Sequence, residues 1–148
     1  QKAFEINKKE YQFYFQIGNM YNQKEEYDKA IEAYRKVIEV SPKKYDAYIN
    51  IFEVQILQEL PFPGELEKKY VQLFEKDKDK FMLYEMLKII SSIIGNKEPD
   101  LEKWLNDYKD YDLGDWSFDE LDRWVSKKDG EIKDKLLEAV NVFKSKVS

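Results

Sequence analysis

Apolar residues recur along this chain at helical spacing, and polar residues fill the positions between them. From Glu10 to Asn22 they fall at Tyr11, Tyr14, Phe15, Ile17 and Tyr21, with Gly18 among them, which predicts an amphipathic helix. Gln23–Tyr27 is a short link. A second helix runs to about Val40, where Ser41-Pro42 stops it, because Pro cannot continue a helix interior. Further helices are predicted around Tyr48, Ile51 and Phe52, then after Leu60–Gly64 with Tyr70 and Phe74 on the buried side. Others are predicted around Tyr84, Leu87 and Ser91, and around Leu101, Trp104 and Leu105. Gly95-Asn96 is the expected turn between these last two, and Pro99 suits a first helical position. Ser117-Phe-Asp-Glu120 has the form of a capping box before Leu121, Trp124 and Val125. Asp129-Gly130 breaks the chain, and Ile132–Val147 reads as a last amphipathic helix with Leu136, Leu137, Val140 and Phe143 on its apolar side.

The pattern repeats. Tyr14, Tyr48, Tyr84 and Phe118 are separated by 34, 36 and 34 residues, and Ile17, Ile51, Leu87 and Leu121 keep the same intervals. The first window reads Tyr14-x-x-Ile17-Gly18-x-x-Tyr21, then Ala30-x-x-x-Tyr34, then Pro42. Gly18 and Ala30 are the small residues that let two helices approach closely. This window resembles the tetratricopeptide repeat. The second window departs from it, with Phe52 in the place of the small residue and two extra residues near 60–64.

The resemblance implies an all-α fold, a right-handed solenoid of stacked antiparallel helix pairs. The expected units are residues 11–44, 45–80 and 81–114, with a degenerate fourth pair and cap at 115–148. Ala3-Phe4-Glu5-Ile6 lies 34 residues before Val37-Ile38-Glu39-Val40, so residues 1–10 are expected to be the tail of a preceding repeat in a longer protein.

The resemblance also implies a concave groove lined by the first helix of each pair. Its residues would be Phe15, Gln16, Asn19 and Asn22, then Ile49, Asn50, Glu53 and Ile56, then Met82, Glu85, Met86 and Ile89, with Asp119, Glu120 and Arg123 following. Apolar side chains there would fill pockets, and Asn19 and Asn50 would hold a partner's backbone, since an amide both donates and accepts. The alternative is that Phe15, Ile49 and Met86 pack against neighbouring helices. Repeats that clamp a terminal carboxylate resemble this chain at Asn19 and Asn50, but they need Lys or Arg where Phe15, Met82 and Met86 stand, which argues against a clamp.

Composition narrows the chemistry. The 148 residues contain no His and no Cys, which removes imidazole and thiolate nucleophiles and the usual metal sites. The net charge of −5 and only two Arg, Arg35 and Arg123, argue against nucleic acid. No apolar run approaches the roughly 20 residues a membrane span needs. The acidic run Asp107–Asp115 lacks the glycine offset and closing Glu of a calcium loop. Nothing pairs two carboxylates for catalysis, and there is no Gly-rich phosphate loop. The expectation is a module without enzymatic activity, metal or cofactor that binds a protein or peptide partner. The alternative is a structural spacer, or an element that self-associates through its N-terminal edge.

Overall fold

The computed structural model describes residues 2–148, with side chains from Asn7 onward; the expected match of residues 3–6 to 37–40 concerns side chains outside the described residues. Eight helices are formed among the described residues, and no strand. They are α1 (Lys2–Gln23), α2 (Tyr27–Val40), α3 (Tyr45–Leu57), α4 (Gly64–Phe74), α5 (Lys78–Ile94), α6 (Leu101–Asp107), α7 (Asp119–Ser126) and α8 (Gly130–Lys144). The chain divides into two units, Gln1–Gln58 with Phe62–Leu73, and Glu59–Pro61 with Phe74–Ser148.

In the first unit α1 packs on α2, and α2 on α3. The link after α1 is closed by backbone bonds from Glu26 N–H to the Tyr21 carbonyl at 2.9 Å and from Glu25 N–H to the Asn22 carbonyl at 3.0 Å. These are the two bonds of a Schellman motif, and Glu25 carries its left-handed turn with φ 60°. No break in α1 marks the expected boundary at residue 10. Phe52, in the place of a small residue, stacks on Phe62 with ring centres 4.5 Å apart and meets Tyr70 edge-on at 5.8 Å. The longer link after α3 thus supplies the ring that covers Phe52. Tyr48 meets Tyr70 in the same way at 5.8 Å, so aromatic contacts join α3 to α4.

In the second unit the main partners are α5 with α8 and α7 with α8. Trp104 of α6 meets Phe143 of α8 edge-on at 4.8 Å. A second Schellman motif ends α5: Lys97 N–H bonds to the Ser92 carbonyl and Asn96 N–H to that of Ile93, with Asn96 at φ 61°. Asn96, and not Gly95, makes the left-handed turn.

Three local expectations are corrected. Pro99 lies before the helix, and Asp100 caps α6 by accepting from Lys103 N–H at 2.9 Å. The capping box does not close. Ser117 Oγ accepts from Asp119 N–H at 3.3 Å, and Glu120 pairs with Arg123 at 2.6 Å instead of reaching back. The last helix ends at Lys144, and the residues after it pair with the loop before α7. Leu113 N–H bonds to the Lys146 carbonyl at 2.7 Å, and Ser148 N–H to that of Gly114 at 3.0 Å.

Candidate functional site

The close contact between α1 and α2 builds the first-repeat part of the expected groove. A Cβ on Gly18 would lie 2.5, 2.7 and 2.9 Å from ring carbons of Tyr34, so glycine is what admits that ring. Tyr34 is fully buried, and its hydroxyl emerges beside α1 to donate to Asn19 Oδ1 at 2.6 Å. Phe15 meets the same ring edge-on at 5.6 Å and is half-buried. Because Asn19 Oδ1 accepts from Tyr34, the amide is fixed with its two N–H donors free to point elsewhere. Asn19 and Gln16 are exposed. The sequence marks Tyr34 only as a repeat aromatic; the signal for its positioning role is the amide directly after Gly18.

Other expected groove residues are enclosed. Ile49 and Ile56 are core side chains of α3, and Met82 and Met86 are core side chains of α5, all at 1% exposure or less. The packing alternative therefore describes Ile49 and Met86, while Phe15 packs on Tyr34 and keeps one edge open. Asn22 and Glu53 are buried polar residues, and Asn22 Oδ1 finds no hydrogen-bond partner among the described residues. Asn50 of α3 is half-buried. In the second unit, Ile89 is half-buried and Glu85 accepts a short hydrogen bond from the Tyr108 hydroxyl. Asp119 and Arg123 are exposed, the latter held by Glu120.

Burial, and then the bond to Glu85, push the Tyr108 hydroxyl far above the usual phenol range. Burial alone raises Tyr48, whose hydroxyl donates to the Pro42 carbonyl at 2.9 Å. Below about pH 10 both rings are neutral in the folded and unfolded chain, and their stabilisation is complete. Above it the unfolded chain releases these protons first, so stability should fall as pH rises. Denaturant melts over an alkaline series check this; stability that stays level well beyond pH 10 would contradict it.

Among the described residues, no group of three or more His, Cys, Asp or Glu could hold a metal ion. Among the same residues, no helix is long and apolar enough to cross a membrane. Residues 11–44, which span the Gly18–Tyr34 contact, match the family model for the tetratricopeptide repeat. No curated protein and no solved structure matches the chain. The paired helices over residues 11–44 are thus similar to the tetratricopeptide repeat, a family that is typically non-catalytic and serves generally in protein–protein interaction.

Proposed function

We propose that this chain binds an extended peptide segment of a protein partner across the exposed face of α1 that holds Phe15, Gln16 and Asn19. The observation that carries this is the Tyr34–Asn19 bond. It presents an amide whose oxygen already accepts one bond and whose N–H donors can meet a partner's backbone carbonyl. Phe15 offers an apolar edge one turn away, and Gln16 a second amide beside it. Pre-setting the amide lowers the ordering cost of binding. Asn50 of α3 extends the same chemistry on the next repeat; within the second unit, taken by itself, Glu85 and Ile89 are half-buried residues of α5. The buried Asn22, Ile49 and Glu53 serve this reading as packing within the first unit, and Met82 and Met86 as core of the second.

Peptides selected from a random display library against the intact chain supply the probe. Asn19→Ala should weaken their binding about tenfold, the order expected for one hydrogen bond to a held amide plus lost pre-organisation. Tyr34→Phe should weaken it less, because the amide remains but is no longer fixed. Unchanged affinity in both Asn19→Ala and Phe15→Ala, with the helical signal intact, would move the binding face elsewhere.

A further inference from the structure

The first helix pair carries a second surface, on the other side of α1 from Asn19. Tyr14, Ile17 and Tyr21 follow one another at i, i+3 and i+7 and form one wall of a groove of about 290 Å³; Ala33 of α2 lies opposite them. Lys29 and Lys36, two turns apart on α2, complete the rim. Glu32 stands between them, and Lys29 lies over the Tyr21 ring and 3.6 Å from Glu26, which leaves Lys36 as the less compensated charge. Phe13 and Met20 lie beside Ile17 on α1 and are exposed at 59% and 42%. The periodic equivalents of Tyr14 and Ile17 are buried everywhere else: Tyr48, Tyr84 and Phe118, and Ile51, Leu87 and Leu121. Only in the first repeat are these two positions half-exposed. The groove therefore has the chemistry of a position that the rest of the chain keeps covered.

The chain also carries a complementary surface. The outer face of α8 bears Glu131, Asp134 and Glu138 beside Leu137, an exposed apolar side chain at 42%, with Glu131 also 3.5 Å from Lys135. Glu131 and Glu138 are two turns apart, as Lys29 and Lys36 are, so both sets of charges have the same spacing along a helix axis. Leu137 sits to one side of these acids, as the apolar wall of α1 sits to one side of the two lysines.

We propose that α8 of a second copy docks in the α1–α2 groove, with Leu137 against Ile17, Phe13 and Met20, and Glu131 and Glu138 against Lys29 and Lys36. The contact joins two different surfaces of the same chain. The pair then keeps one unused groove and one unused α8 face, so assembly grows with concentration instead of stopping at a symmetric dimer. Exposed ion pairs are weak and screened, so the association is salt-sensitive.

Sedimentation of the intact chain over a concentration series at low salt tests this. The wild type should show a weight-average mass that rises past the dimer and falls when salt is added. Lys29→Glu with Lys36→Glu should weaken association about tenfold or more, since two attractions become repulsions. Leu137→Asp should do the same, and its exposure makes it harmless to the fold. Glu131→Lys with Glu138→Lys blocks the other surface. Mixing the two charge-reversed variants should restore the growth that neither shows alone, because the two intact surfaces match each other and the two reversed surfaces do the same. A mass that stays monomeric throughout would overturn the proposal. So would association that survives Leu137→Asp and the lysine reversals.

Discussion

Phe143→Ala should cost about 3–5 kcal/mol, the range for emptying a fully enclosed aromatic site. Phe143 has no exposed surface and meets the Trp104 ring edge-on at 4.8 Å. Its removal takes away both the buried area and the edge contact, the latter worth about 0.5–1.5 kcal/mol. Trp104 itself meets Tyr108, whose hydroxyl is tied to Glu85, so the cavity opens beneath a linked set of groups from α5, α6 and α8. The readout is direct. All three tryptophans, Trp104, Trp116 and Trp124, belong to the second unit, and their fluorescence reports its unfolding in denaturant. A loss under about 1 kcal/mol would mean that α8 collapses onto Trp104 without cost, which would contradict a tightly packed contact.

Gly18→Ala is expected to destabilise although alanine is the better helix former. Intrinsic propensity favours alanine by about 1 kcal/mol. Against it stands a Cβ placed 2.5 Å from the ring of Tyr34, with two more ring carbons inside 3 Å. The ring is fully buried and hydrogen-bonded to Asn19, so it cannot swing away without losing that bond. Overpacking of this kind costs about 1–3 kcal/mol, and the lost bond about 1 more. The net result is a loss of about 1–3 kcal/mol, seen in the far-ultraviolet helical signal during a melt. Shortening the ring in the same chain with Tyr34→Leu should recover part of the Gly18→Ala loss, a coupling that a double-mutant cycle measures. A stabilised Gly18→Ala variant would show that the two helices are not in the close contact described.

The same contact explains why the first repeat is legible and the later ones are less so. Gly18, Ala30 and Tyr34 state their roles in the sequence, because a steric requirement for a small residue leaves few substitutes. Phe52 states the opposite, and the sequence does not reveal that the ring covering it comes from the link, at Phe62. The helix ends divide in the same manner. Turns at Gly95-Asn96 and Asp129-Gly130 were readable from residue type, whereas Ser117 and Pro99 fitted a helix start that competing bonds moved by one or two residues.

The candidate site shows the limit most clearly. Periodicity places Phe15, Ile49, Met82 and Met86 on first helices, but periodicity alone cannot separate a groove lining from a core. Both use apolar residues at the same spacing, and what differs is whether another helix lies on top. Ile49, Met82 and Met86 are covered, and Phe15 keeps an open edge.

By itself, the sequence determined the helical character, the 34-residue period, the tight first pair and the absence of His and Cys chemistry. Each of these follows from local spacing or from composition. Only the tertiary structure decided which apolar stripe is buried, that Tyr34 holds Asn19, that α5 takes α8 as its main partner, and that Tyr14 and Ile17 stay open. Those outcomes depend on which surfaces meet, and burial is a property of the pair of surfaces, not of either one.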